Sequence, residues 1–186
     1  MRSIFLSRFF VKKFFSAQDA GYYSALSLLA KIILYFTAPL STVMYSYFTA
    51  DESKQNAHSL FFFSQLGFIA MGMIAALFYY FFPSLIVNII FGEKYSVITS
   101  TVWIAGIYGM LYALVNLSSF YWMARESHIA YVPLLGIIFQ VIALSLFHQN
   151  YLSILVVNSV VLAMIWLTYS VFYLLMLSKQ YAYFQK

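Results

Sequence analysis

Charged residues divide the chain into long apolar stretches. No Asp, Glu, Lys or Arg lies between His58 and Glu93, and none lies in 95–124, 129–147 or 149–178. Each stretch reaches or approaches the roughly 20 apolar residues that a membrane-spanning helix needs. Inside lipid, a single segment satisfies its own backbone hydrogen bonds only as a helix. The pattern therefore predicts four membrane-spanning helices.

A fifth apolar stretch lies nearer the N-terminus, within 20–50, and is unusual because it contains Lys31 and Pro39. Runs such as 154–157 are continuously apolar, which argues against the alternating pattern of a membrane β-barrel. The predicted fold class is therefore an all-α integral membrane helical bundle. Its transmembrane part is expected over 17–178, with about five helices at 20–49, 59–82, 97–123, 129–147 and 151–178.

Composition excludes a soluble domain. Hydrophobic residues make up 64% of the chain and charged residues 8%, whereas soluble domains contain about 45–50% and 25%. A soluble fold of this size could not hide so much apolar surface from water, so membrane lipid is the expected surrounding. Cysteine is absent, which excludes disulfides and thiolate metal sites. No metal, other cofactor or nucleic-acid partner is expected.

The two ends of the chain are polar. Residues 1–16 combine Arg and Lys with several Phe. Arg8 breaks the apolar core that a secretory signal needs, so the segment is interpreted as the remnant of a lost helix that is now too charged to cross. A mitochondrial presequence and the frayed end of a missing helix are the alternatives. Residues 179–186 are predicted to form a polar C-terminal tail.

Three prolines are predicted to bend the helices. Pro83 removes a backbone donor, so 83–91 is either a short interfacial helix that ends at Gly92 or the end of one long tilted helix. Pro39 and Pro133 are expected to kink their helices. Four glycines in the spans are expected to permit close helix contacts: Gly67, Gly72, Gly106 and Gly109.

Short motifs resemble a transporter family. The segment 16–25, SAQDAGYYSA, resembles the "AGxYsa" entry to a central helix of polysaccharide flippases, the Wzx-like branch of the superfamily that includes MurJ and the MATE exporters. Residues 82–87, FPSLIV, and 91–95, FGEKY, resemble the family's "fp..i...fG.ey" segment. The motifs occur in the family's order, and the resemblance covers roughly residues 10–178.

The resemblance implies a part of a longer transporter. Such flippases have two related bundles, and this chain is similar to part of the second six-helix bundle. It implies movement of a polyprenyl-pyrophosphate-linked oligosaccharide across the bacterial inner membrane during O-antigen, lipopolysaccharide or capsule synthesis. The implied mechanism is alternating access, in which two bundles rock around a hydrated cationic cavity. The implied partners are a missing N-terminal half or other membrane proteins of polysaccharide assembly.

Membrane orientation is not decided by the local charges. Five Lys and Arg residues fall on the N-terminal side and four on the other side, whereas the positive-inside rule needs a clear excess. The family's topology would place the other four on the cytoplasmic side: Lys54, Arg125, Lys179 and Lys186.

Lys31 is the sharpest candidate for a functional residue. It lies about eleven residues into its predicted span, roughly 16 Å along the helix axis. A cation inside a bilayer usually faces a cavity or a partner, so Lys31 is predicted to line a hydrated cavity that attracts a phosphate group. The alternative is a side chain that reaches towards the nearer interface from a helix that starts later.

Polar amides are the softer candidates. Asn116 and Gln140 lie far from the ends of their predicted helices and are candidates for contact with sugar hydroxyls. The alternative, that each hydrogen-bonds a neighbouring helix, is favoured for any single residue.

Enzyme chemistry has little support in the sequence. The three histidines occur singly at the borders of predicted loops, and no paired carboxylates lie within a span. We therefore expect no enzyme and no catalytic residues. Besides a flippase, the open hypotheses are a non-transporting membrane scaffold or assembly subunit, and a fragment of a MATE-type small-molecule exporter.

Overall fold

The computed structural model describes residues 16–50, 54–147 and 150–184, and throughout these ranges the fold is all-α, as predicted. We number the α-helices in chain order. Two short 3₁₀ segments, Glu93–Thr101 and His128–Tyr131, precede α4 and α5. The α-helices are α1 (Ala17–Ala50), α2 (Lys54–Phe81), α3 (Pro83–Ile90), α4 (Val102–Ala124), α5 (Val132–Leu146) and α6 (Tyr151–Phe184).

Five helical segments are long and apolar enough to cross a membrane, which confirms the predicted number. Each predicted end lies within four residues of the observed end. The predicted remnant helix in 1–15 falls outside the described residues. The segments are Ala17–Ala50, Asn56–Phe81, Glu93–Ala124, His128–Leu146 and Tyr151–Ser178.

Helix α1 begins earlier than predicted because Ser16 caps it. The Ser16 hydroxyl accepts a hydrogen bond from the Asp19 backbone N–H at 3.2 Å and donates one to the Asp19 carboxylate at 2.8 Å. A capping oxygen and an acidic side chain both stabilise the first turn. The helix then continues through Pro39 and ends at Ala50.

The break predicted at Pro83 is present, and the long tilted helix is not. Pro83 occupies the first turn of α3, where a missing N–H costs little. Gly92 ends the segment with φ 79° and ψ 176°, a conformation that is essentially restricted to glycine. Helix α3 is therefore a separate short helix between two membrane-spanning ones.

Helix α4 is the centre of the bundle and packs against α1, α2 and α6. Two glycines allow the close approach. A Cβ built on Gly109 would lie 2.6 Å from the carbonyl oxygen of Ala30 in α1, and one on Gly106 would lie 2.7 Å from the Cα of Ala76 in α2. Gly72 likewise packs directly on Met110.

Two predictions about individual elements were wrong. A Cβ built on Gly67 would have no neighbour within 4 Å, because Gly67 lies on the exposed face of α2. Pro133 is the second residue of α5 rather than an interior kink, so its missing N–H breaks no bond of the helix. Helix α6 itself continues into the predicted polar tail as far as Phe184, because no Gly or Pro interrupts it.

Candidate functional site

A cavity of about 290 Å³ lies between α4, α5 and α6. This volume is near the lower end of the ~300–1,000 Å³ that is usual for small-molecule sites. All three helices belong to membrane-spanning segments. The cavity is lined by Tyr108, Tyr112, Val115, Asn116 and Ser119 of α4, by Pro133, Gly136, Ile137 and Gln140 of α5, and by Asn158, Val161, Leu162 and Ile165 of α6.

The structure brings Asn116 and Gln140 to the same cavity. They come from α4 and α5, and α6 adds Asn158. Asn116 is half-buried, whereas Gln140 and Asn158 are 4% and 2% exposed. Three carboxamides with donors and acceptors therefore face one space that is otherwise walled by aromatic and aliphatic groups.

A chain of hydrogen bonds fixes two of these amides. The Gln140 Nε2 donates to Asn158 Oδ1 at 2.7 Å. The Asn158 Nδ2 then donates to the hydroxyl oxygen of Tyr23 in α1 at 3.1 Å. Tyr23 is fully buried. These hydrogen bonds therefore connect the cavity wall, through Asn158 of α6, to Tyr23 of α1.

A stripe of polar residues on α4 completes the wall and was visible in the sequence. Tyr108, Tyr112, Asn116 and Ser119 follow one another at intervals of four, four and three residues, which places them on one face of a helix. The Ser119 hydroxyl lies 3.2 Å from the hydroxyl of Tyr169 in α6. The spacing of these residues, read together, would have indicated a polar face on α4.

Lys31 lies elsewhere in the bundle and does not line this cavity. It is half-buried on α1, fourteen residues after Ala17, which is about 21 Å along the helix axis. Helix α1 starts at Ala17, earlier than predicted, so Lys31 lies farther along the helix axis than expected. The alternative that its side chain reaches towards the nearer interface stays a prediction.

Gln65 connects three helices through its side-chain amide. Its Nε2 donates to the Ser118 hydroxyl of α4 at 2.7 Å. Its Oε1 accepts from the Trp166 indole N–H of α6 at 3.1 Å. These bonds give Gln65 the structural role of holding α2 against α4 and α6.

His58 was predicted at a loop border, but α2 begins at Lys54 and buries its side chain to 7% exposure. Its Nδ1 lies 2.7 Å from the Tyr121 hydroxyl, and its backbone oxygen accepts from the Tyr173 hydroxyl at 3.1 Å. Phe61 stacks on the Tyr121 ring with centroids 4.0 Å apart. This aromatic cluster closes the end of the bundle where α2 starts and α4 ends.

The cavity is suited to recognition of a neutral polar ligand. None of its lining side chains is a carboxylate, an ammonium, a guanidinium or an imidazole, so it offers no general base of ordinary strength. Within the described ranges, no three His, Cys, Asp or Glu residues come together in a way that could hold a metal ion. Amides and hydroxyls that both donate and accept can pair with the hydroxyls of a sugar.

Comparison of the chain with family models, with curated proteins and with solved structures found no match.

Proposed function

We propose that this chain is a membrane transport protein of the flippase type, or part of one. Its cargo in this proposal is an oligosaccharide linked to polyprenyl pyrophosphate, moved across the bacterial inner membrane for surface polysaccharide synthesis. The observation that carries the proposal is the cavity between α4, α5 and α6, where Asn116, Gln140 and Asn158 present amides inside the membrane-spanning part of the bundle.

The cavity chemistry supports a sugar rather than a cationic drug as the cargo. An exporter of organic cations needs an acidic side chain where its substrate binds, and no acidic side chain lines this cavity. Sugar hydroxyls need alternating donors and acceptors, which amide and hydroxyl groups supply. Aromatic residues at the same wall, Tyr108 and Tyr112, add flat surfaces against which a sugar ring can pack.

In the proposed mechanism the sugar moves through the bundle while the lipid tail stays in the bilayer. The neutral cavity holds one sugar unit at a time, which fits its volume of about 290 Å³. The pyrophosphate requires a cation, and Lys31 is the candidate because it is half-buried near the middle of α1. A charged side chain within a membrane-spanning helix generally indicates a functional site.

A reconstitution experiment tests the proposal. The full chain is placed in liposomes that contain a polyprenyl-pyrophosphate oligosaccharide, and a lectin outside the vesicles reports the sugar that reaches the outer leaflet. We expect translocation that depends on the protein. Asn116→Leu should slow it about two- to tenfold, because a neutral hydrogen bond contributes about 0.5–1.5 kcal/mol.

The matched control is Asn88→Leu, which removes the same amide from an exposed position on α3. It should leave the translocation rate unchanged. Vesicles with folded protein that expose no more sugar than empty vesicles would refute transport by this chain on its own and would favour a scaffold role. Equal rates for the Asn116 and Asn88 variants would show that the cavity does not carry the sugar.

A further inference from the structure

Helix α5 is a loosely held wall of the cavity. Within the described part of the chain it packs mainly against α6 and the 3₁₀ turn that precedes it. Gln140 and Leu144 are its buried residues, and its outer face is exposed, for example at Leu135 and Ile138. On the opposite side of the cavity, α4 is held by three neighbouring helices.

Contacts between α5 and α6 at the cavity are of two kinds, apolar and hydrogen-bonded. Gly136 packs directly on the side chain of Ile165, which is an apolar contact that allows sliding. The Gln140–Asn158 hydrogen bond, at 2.7 Å, is the directional contact. Asn158 is itself fixed by its bond to Tyr23 of α1. Gln140 therefore links α5 through Asn158 to α1 at the level of the cavity. The Tyr169 hydroxyl of α6 holds the start of this segment separately, because it donates to the Ala130 carbonyl at 3.4 Å.

The same two amides also face the cavity. The Asn158 Oδ1 that accepts from Gln140 can accept equally from a hydroxyl group, and the Gln140 Nε2 can donate to one. A hydroxylated ligand between them therefore replaces the bond that fastens α5 with two bonds to itself. Binding and unfastening are then the same event, because a ligand shifts a conformational equilibrium by its differential affinity for the two states.

We propose that the Gln140–Asn158 hydrogen bond is a latch that holds α5 closed over the cavity, and that a polyhydroxyl ligand releases it by competing for both amides. Release by a polyhydroxyl ligand rests on the proposed function, whereas the role of the hydrogen bond in holding α5 does not. Release lets α5 move away from α4 and opens the cavity sideways to the bilayer, so that a sugar can enter while its lipid anchor remains in the membrane.

The distance between α4 and α5 tests the latch. The chain contains no cysteine, so nitroxide labels can be placed at Met123→Cys of α4 and Ile138→Cys of α5, both of which are exposed. Double electron–electron resonance should give one dominant distance for the otherwise native chain. Gln140→Leu should add a second, longer population, and Asn158→Leu should do the same through the other partner of the bond.

Ser145→Ala is the matched control, because the Ser145 hydroxyl bonds only to the Val141 carbonyl of its own helix. It should leave the distance distribution unchanged. If Gln140→Leu and Asn158→Leu both fold, as judged by helix content and elution volume, and both keep the native distribution, the latch is refuted.

Methyl glucoside at hundreds of millimolar tests release by a ligand, with trimethylamine N-oxide at equal osmolality as a solute that cannot donate a hydrogen bond. The glucoside should produce the longer population in the native chain and should change nothing in Gln140→Leu. No response to the glucoside would refute release by a polyhydroxyl ligand. A latch that opens in vesicles without sugar translocation would instead contradict the proposed function and leave the latch standing.

Discussion

Gly109 sets the distance between α1 and α4. Its backbone touches the Ala30 carbonyl, and an added Cβ would lie 2.6 Å from that oxygen. Because the obstacle is backbone rather than the end of a flexible side chain, Gly109→Ala should force the helices apart. Overpacking of this kind costs about 1–3 kcal/mol, which exceeds the gain of up to about 1 kcal/mol from better helix propensity.

The free energy of unfolding in mixed detergent micelles measures this effect. Gly67→Ala is the matched control, since it makes the same change on α2 where nothing lies within 4 Å. The control should be neutral or slightly stabilising. Equal stability of the two variants would mean that α1 and α4 do not approach as closely as the structure shows.

Single polar residues show where sequence reasoning reached its limit. The amides of Gln140 and Asn158 could be recognised as intramembrane polar groups, but their mutual bond could not. The Tyr23 hydroxyl that completes the chain lies 135 positions from Asn158, and neither hydropathy nor helical period relates residues so far apart. Local spacing along α4 could have been used but was not, although four polar residues share one face of that single helix.

At the scale of elements, the positions of the membrane-spanning helices could be predicted from the gaps between charged residues. Every segment that crosses lipid must satisfy its own backbone hydrogen bonds, so each long uncharged segment forms a helix. Helix ends were less predictable. His58 was assigned to a loop border, yet α2 begins at Lys54 and buries it in an aromatic cluster. Pro133 was expected inside a helix but lies in the first turn of α5. For Pro133 the result agrees with a local preference, because proline is favoured in the first turn of a helix.

The junction between α3 and the following 3₁₀ segment depends on Gly92. Its φ of 79° with ψ of 176° lies in a region that costs other residues about 1–3 kcal/mol. Gly92→Ala should therefore destabilise the junction by about that amount, although no neighbour lies within 4 Å of the new Cβ. Hydrogen exchange should accelerate at the amides on either side of Gly92, where Phe91 N–H donates to the Val87 carbonyl and Tyr95 N–H donates to the Gly92 carbonyl.

Gly21→Ala provides the comparison for this effect. The added methyl group would lie in ordinary contact, 3.6 Å from the Tyr95 hydroxyl, and Gly21 has helical backbone in α1. Exchange at Phe91 should be unchanged in this variant. Native exchange rates in Gly92→Ala would show that the chain leaves α3 by another route.

At the scale of the whole molecule, the cavity and Lys31 are separate features of one bundle. The neutral cavity lies among α4, α5 and α6, and the cation lies on α1. Tyr23, eight positions before Lys31 on the same helix, carries the far end of the hydrogen-bond chain from the cavity. The proposed cargo has an uncharged sugar and a charged pyrophosphate, and these two environments match its two parts in chemistry.

Water access at Lys31 is the decisive test of this arrangement. A charged side chain about halfway along a membrane helix is tolerated where it faces water or polar groups, so we expect Lys31→Cys to react with a membrane-impermeant charged thiol reagent. Phe36→Cys lies five residues further along α1 and is 70% exposed on its outer surface, where lipid excludes the reagent. Reaction at position 31 should be at least about tenfold faster, because charged reagents react in water and not in hydrocarbon.

The native chain supplies a clean background for this measurement, because it contains no cysteine. Labelling is followed by mass shift in sealed vesicles, with the reagent added outside or enclosed within. Reaction from one side would assign the face of the bundle towards which Lys31 opens. If position 31 is as unreactive as position 36 from both sides, Lys31 is surrounded by lipid or protein, and it does not attract a pyrophosphate. That result would not bear on the sugar cavity, which is tested separately by the Asn116 variant.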